Sequence, residues 1–309
     1  MKAARIHQFG PPDVIVIDDV PQPRPGPGEL LVRVAAAGVG PWDALIREHK
    51  SAVKVTLPLI LGSDLSGVVE EVGPGVSTFH VGQEVYGVTN PDFCGAYTQF
   101  AIASAKMVAR KPLRLSHLEA ASAPVVTVTA WQMLFDYADA KPTQRVLILG
   151  AAGNVGAYAV QLASQAGLQV FATAASEDVA FVRGLGATTV IDYKTTKFEK
   201  AITPVDAVID TVGGDTRARS FGIIKPGGVL VTSVSGPLPE QHQANGVRTL
   251  FFLAEVTTSR LDKIADLFNQ GKLIAHVGTV LPLEQARIAH EMLAGAPHKR
   301  GKILLEVDG

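Results

Sequence analysis

Along the first third of the chain, apolar residues alternate with polar ones or form short runs broken by glycine and proline. KAARIHQF, DVIVIDDV, ELLVRVAAAGV, LSGVVEEVG, HVGQEVYGV and AYTQFAIA all read this way, and such segments predict strands. PQPRPGPGE separates the second from the third, and its alternating prolines favour an extended connection. A short helix is predicted from Pro41 through Trp42 to Arg47, because proline is tolerated in a first turn. The region suits a curled antiparallel sheet or partial barrel.

From about Ala120 the pattern changes. SHLEAASAPVVTVTAWQMLFDYA favours helical packing interrupted near Pro124. An alternation follows, with strands predicted at 146–149, 170–173, 190–191, 205–209 and 228–232 and helices at 154–165 and 177–184. Nearly continuous apolar strands between helices imply a parallel sheet covered on both faces. The last stretch predicts helices at 261–269 and 284–293 and a terminal strand at 302–307, which can return to the first domain. Leu230 and Val231 read as core.

The sharpest local signal lies at the first of those strand ends. Gly150, Gly153 and Gly156 form GxxGxxG, where a buried strand turns into a helix. Small residues permit a tight turn, and the first-turn amides of Asn154, Val155 and Gly156 then face outward. Such amides, aided by the helix dipole, receive a pyrophosphate. A side chain at Gly153 would obstruct that approach, and Gly156 permits close helix–sheet packing. The bland reading is a sharp turn with no ligand; the strand–turn–helix–strand context favours a dinucleotide.

The second strand, VFATAAS, places Thr173, Ala174, Ala175 and Ser176 where an acidic residue commonly binds the adenosine ribose. Without that carboxylate a ribose 2′-phosphate is not repelled, so NADPH is expected over NADH. Ser176 can donate to the phosphate; Glu177 and Asp178 either face it or begin the helix favourably. Lys194 and Arg183 either add positive charge there or stay solvated.

Composition bounds the rest. With 309 residues, 47% hydrophobic and 18% charged, the chain can build two cored domains. A net charge of -1 and the aromatic pattern select neither nucleic acid nor an anionic membrane as partner. Cys94 is the single cysteine, so no intramolecular disulfide forms. MKAARIHQFG lacks the apolar block of a secretory signal and no long apolar run follows, so a cytosolic protein is expected.

Several ordered motifs carry a resemblance covering almost the whole chain: AAGVGPWDALIR, LPLILGSDLSGVVEEVG, GQEVYGV, GAYTQFAIA, VTAWQML, ILGAAGNVGAYAVQLA, LGATTVIDY, VIDTVGG and KPGGVLVTSVSG. Together they resemble the medium-chain dehydrogenase/reductase superfamily, especially its zinc-independent, zeta-crystallin-like quinone oxidoreductase branch. The resemblance implies an α/β protein with a GroES-like partial β-barrel catalytic domain over 1–120, completed by 261–309. A Rossmann parallel-sheet NADPH-binding domain would span 121–260, and a homodimer would form through the nucleotide domains. The implied activity is zinc-independent hydride transfer from NADPH to a quinone or an α,β-unsaturated carbonyl. The alternative is a catalytically weak dinucleotide-binding sensor or interaction protein.

Zinc-dependent relatives place a cysteine in the AGVG region and a histidine in the LGSD region; this chain has Gly40 near the first and Ser63–Asp64 in the second. One cysteine cannot build a four-cysteine centre, and His80, His117 and His276 read as structural or solvent-facing, so no metal site is expected. Many relatives carry Asn at the position of Gly40, so a polar donor is missing here. By motif correspondence the reacting cleft lies between AGVGPWD and VTAWQML, with Trp42 and Asp43 at one edge and Thr129 near the nicotinamide. Trp42 either shapes an aromatic pocket or simply packs. Asp43 caps or orients a neighbour, since an ordinary Asp is deprotonated near neutrality and a poor proton donor. Thr129 orients ligand or bonds within the core, Tyr97 reads as structural, and no catalytic acid is assigned. The same correspondence suggests cofactor contacts from Tyr193, Val212, Gly213, Gly214, Ser233, Ser235, Phe251 and Phe252, with packing as the competing role of the aromatic residues.

Overall fold

The computed structural model describes residues 1–234 and 246–307. The chain divides into two compact units, Met1–Val125 with Val256–Gly309, and Val126–Glu255.

The first unit is organised by its longest strand, Glu29–Val39. Along one edge this strand pairs antiparallel with Asp64–Val72, setting Leu30 opposite Val72 and Gly38 opposite Asp64. Its other edge is shared: Phe100–Ser104 covers the first half, while Lys302–Glu306 covers Ala36 to Val39. Paired on both sides, the strand is buried on both faces, which is why its sequence runs apolar instead of alternating. Glu84–Val88 and Val108–Arg110 extend the sheet beyond Asp64–Val72, and Val277–Pro282 lies outside Lys302–Glu306. A smaller antiparallel sheet joins Ile15–Asp19, Lys2–Ile6 and Leu59–Ile60. Ile6, Leu30, Val32, Leu61, Leu65, Val85 and Tyr97 pack into one core between these elements, each large side chain contributing about 1.5–3 kcal/mol by burial.

The late part of the chain is tied into this unit. Tyr86 Oη donates to Leu261 O at 2.6 Å, and Thr258 Oγ1 donates to Val108 O at 2.7 Å. Both acceptors or donors lie on or beside the helix Thr258–Asn269, which buries Leu261, Ile264, Ala265 and Phe268 at helical spacing. The predicted helical run after residue 116 forms two α-helices, the second continued by a wider π-helical segment, Gln132–Tyr137. His117–Ala121 is closed by a capping box between Ser116 and Glu119, and Pro124–Trp131 starts on its proline.

The second unit is a parallel sheet in the order Thr189–Asp192, Gln169–Ala174, Arg145–Leu149, Val205–Asp210, Ile224–Thr232, Arg248–Phe251. The strand order runs 3-2-1-4-5-6, so the chain reverses direction across the sheet between Arg145–Leu149 and Val205–Asp210. Leu147, Leu149, Val208 and Leu230 fill its core with Phe198 and Phe221. Leu230 and Val231 are fully buried, as expected from the sequence. The edge strand Arg248–Phe251 and the polar helix Gly214–Ser220 were not expected, because four residues are too few to show a period and GDTRARS carries no apolar stripe. The expected helix at 177–184 is a 3-10 turn, Ser176–Asp178, leading into Val179–Gly184. Among the described residues no helix is long and apolar enough to cross a membrane.

Candidate functional site

Because the strands of the second unit are parallel, their carboxyl ends share one edge of the sheet, and a ligand crevice opens where strand order reverses. At that point Gly150 adopts φ +71°, and its amide donates to Thr173 Oγ1 at 3.2 Å. Thr211 Oγ1 donates to Leu149 O at 2.7 Å, locking the turn against the loop after Val205–Asp210. A Cβ on Gly150 would sit 2.7 Å from Thr211 Oγ1 and 2.8 Å from Val212 Cγ2. A Cβ on Gly156 would sit 2.2 Å from Gly150 O, so the helix's first turn lies directly on the end of the strand.

The helix Asn154–Gln165 begins after Gly153, which offers no side-chain cap, and its first internal bond runs from Ala157 N to Gly153 O. The amides of Asn154, Val155 and Gly156 therefore have no intrahelical acceptor. Gly153 is exposed and Asn154 and Val155 are half-buried. Gly156 is buried against the strand end; backbone donors without an intrahelical acceptor at the positive end of a helix suit an anionic diphosphate.

Of the other expected cofactor residues, Ser176, Tyr193, Val212, Gly213, Ser233 and Phe251 stand at or just beyond the carboxyl ends of these strands. Ser176 is exposed and donates to Asp192 Oδ2 at 2.5 Å. Lys194 Nζ lies 2.9 Å from Glu177 Oε1, so the nearby cation is already paired. Tyr193 is exposed, with its amide on Ala174 O. Val212 is exposed, while Gly213 is buried at φ +80°. Asp210 Oδ1 accepts from the amides of both Val212 and Gly213, and Asp210 Oδ2 accepts from Arg217 Nε at 2.6 Å. Arg217 Nη2 donates in turn to Thr232 Oγ1 and Val234 O. This buried Asp210–Arg217 pair thus holds the loops after two adjacent strands. Its signal in the sequence was only an acid at a strand's end and an arginine seven residues on.

Ser233 is half-buried beside those loops, and Ser235 lies outside the described residues. Phe251 is exposed at the end of the edge strand, whereas Phe252 is buried with its ring centroid 4.5 Å from that of Tyr137. Thr129 is buried within Pro124–Trp131.

The first unit gathers a second polar cluster. Asp43 is fully buried at the start of Pro41–Arg47, where its Oδ2 accepts from Gly40 N at 2.8 Å and from Tyr97 Oη at 2.9 Å. Its Oδ1 has no hydrogen-bond partner among the described residues. Burial pushes this carboxyl up to about 7, against the pull of the Gly40 amide, the Lys302 charge and the Tyr97 hydroxyl. The expectation of an ordinary, fully ionised Asp43 is thereby corrected: composition cannot report desolvation.

Lys302 Nζ pairs with Asp64 Oδ2 at 2.8 Å, both groups buried, and lies 4.1 Å from the centroid of the Trp42 ring. Trp42 Nε1 donates to Ser63 Oγ at 2.9 Å. Asp64 and Lys302 were not expected as functional residues, since 238 positions separate them and only strand pairing joins them. Of the histidines, His80 is exposed, and His117 sits between Ser66 Oγ and Glu84 Oε1. His290 accepts from Arg47 Nη1 through Nδ1 at 2.7 Å. Among the described residues no group of three His, Cys, Asp or Glu is placed to hold a metal ion.

Residues 26–113 match the family model described as alcohol dehydrogenase GroES-like domain, and residues 185–305 match that described as zinc-binding dehydrogenase. A probable zinc-binding oxidoreductase, mitochondrial, of Arthroderma benhamiae is 33% identical over 98% of this chain and 96% of its own. The NAD(P)H oxidoreductase RTN4IP1, mitochondrial, of Homo sapiens is 32% identical over 91% of this chain and 82% of its own. The solved quinone oxidoreductase of Coxiella burnetii superposes with a TM-score of 0.90 at 35% identity, covering 100% of this chain and 99% of that one.

Proposed function

Because the chain belongs to the medium-chain dehydrogenase/reductase superfamily of oxidoreductases, with a GroES-like domain and a parallel-sheet Rossmann domain, we propose that it transfers hydride from NADPH to a quinone or an α,β-unsaturated carbonyl. The observation that carries this reading is the helix start at Gly153–Gly156, which has no side-chain cap, is exposed at Gly153 and lies at the strand-order reversal. When bound, a reduced nicotinamide supplies the hydride. The protein's part is to hold and orient. The amides of Asn154, Val155 and Gly156 bind the diphosphate, and Gly150 and Gly156 let the backbone come close enough to do so. Asp210 and Arg217 keep Val212 and Gly213 in one arrangement beside it.

NADPH is favoured because the strand Gln169–Ala174 ends without a carboxylate and Lys194 lies nearby. Glu177 and Asp192 are the counterweight, as they already engage Lys194 and Ser176. For a homodimer, the support is the edge strand Arg248–Phe251, beside which Phe251 and Leu253 are exposed apolar side chains. The proposed compartment is the cytosol, and fractionation with mitochondria, the location in the names of both curated relatives, would overturn it.

The test is acceptor-dependent loss of reduced-cofactor absorbance across a panel of enones, alkenals and quinones at saturating NADPH. Turnover with at least one class is expected, and none across the panel sinks the enzymatic reading. The second reading, a dinucleotide-binding sensor, draws on Gly40, which leaves no polar side chain where many relatives have Asn. Cofactor-dependent binding of a partner without acceptor reduction would favour it.

A further inference from the structure

A family model and a fungal relative that match this chain are both described as zinc-binding, yet the residues here do not fit that ion. The segments ending at Gly40 and beginning at Gly62 are neighbours, since Gly38 pairs with Asp64 across antiparallel strands. The space between them is taken by Trp42. A Cβ on Gly40 would lie 2.4 Å from both Cη2 and Cζ2 of the indole and 2.6 Å from Cε2. Gly40 has φ -132°, a conformation open to any residue, so the indole, not the backbone, demands glycine there.

The indole is held on two sides. Its N–H is committed to Ser63 Oγ, which is itself fully buried, and the Lys302 ammonium lies against its ring. The oxygens nearby are committed too. Asp64 Oδ2 takes Lys302, Asp64 Oδ1 accepts from Val125 N at 3.0 Å, and Asp43 Oδ2 takes Gly40 N and Tyr97 Oη. Among the described residues of this cluster, Asp43 Oδ1 is the carboxylate oxygen left without a partner, and one oxygen is no ligand set. Cys94, the single cysteine, lies against Asn90, with Sγ 3.9 Å from Asn90 Oδ1, and one thiol is no ligand set either. A second cation would also meet the charge of Lys302.

We propose that the Trp42 indole and the Lys302 ammonium together occupy the place that a metal and its ligands take in zinc-dependent relatives. The site is then closed to zinc by filled volume and an existing cation, beyond the loss of ligand side chains. This rests on the metal-free reading of the reaction above. Its tests measure metal uptake and unfolding without turnover, so a failed acceptor panel and a failed metal test are separate results.

Zinc alone, in competition with a chromophoric chelator, is titrated into Gly40→Cys/Ser63→His and into Gly40→Cys/Trp42→Ala/Ser63→His. The triple variant is expected to bind on the order of 10- to 100-fold more tightly, the range over which a site's surroundings tune metal affinity. Equal binding by the two variants, whether tight or absent, overturns the proposal, as does wild-type protein that keeps stoichiometric zinc through dialysis against a chelator. A second measurement stands apart from ligand engineering: Gly40→Ala should lower the thermal midpoint in the wild-type background and cost little beside Trp42→Ala. An equal loss in both backgrounds shows that the indole does not set the glycine.

Discussion

Two buried titrating residues in the first unit pull stability in opposite directions with pH. Asp43 is held near 7 by burial in the fold, while an exposed aspartate titrates near 4. Between those values the folded state binds more protons than the unfolded chain, so this contribution to stability falls as pH rises from about 4 to about 7 and then levels. His290 is pushed down to about 3 by burial and by the Arg47 charge, so its contribution is lost as pH falls below about 6.5. Urea unfolding of wild type and Asp43→Asn across this range isolates the first effect. The wild type should lose a few kcal/mol relative to the variant between about pH 4 and 7, and a parallel pair of curves would contradict it.

Gly156 is legible from sequence as a small residue at a turn, but what it clears is visible only in space. Gly156→Ala forces a methyl onto Gly150 O and Ala151 Cα. It should cost about 1–3 kcal/mol by overpacking and weaken dinucleotide binding by about tenfold or more, read by chemical unfolding and by fluorescence titration.

At the scale of elements, the loops after Val205–Asp210 and Ile224–Thr232 are joined by Arg217, which is buried with Asp210. Arg217→Met leaves a buried carboxylate without its cation and should cost about 3–5 kcal/mol. Asp210→Asn in the same chain should recover part of that loss, since its carbonyl still accepts from Val212 and Gly213 while the stranded charge is gone. No recovery in the double variant would mean the pair acts through packing alone. The strands Val205–Asp210 and Ile224–Thr232 that lead into these loops were readable because they are short apolar runs between turn residues, whereas the polar helix Gly214–Ser220 that carries Arg217 was not. The pair was not, because an Asp and an Arg seven apart are equally common on a solvated helix. The same holds for Leu59–Ile60 and Val277–Pro282: two residues carry no period, and the second pairs with a strand near the end of the chain.

For the whole molecule, binding that involves only the folded state raises stability by mass action, about 2.7 kcal/mol at a hundredfold excess over Kd. NADPH should therefore raise the thermal midpoint more than NADH at equal concentration. Glu177→Gln frees Lys194 and removes a negative charge beside Ser176, so it should widen that difference several-fold in affinity while leaving NADH little changed. A larger shift with NADH in both proteins would assign the other cofactor. From sequence alone came the parallel sheet, the antiparallel one before it and the glycine turn between strand and helix, because periodicity and the small side chains of a turn are local properties. Tertiary structure alone decided that Lys302 meets Asp64, that Trp42 lies on Gly40, and that Asp43 titrates near neutrality. Those outcomes depend on which distant strands pair and on how much water they exclude, and neither quantity is written in any short stretch of the chain.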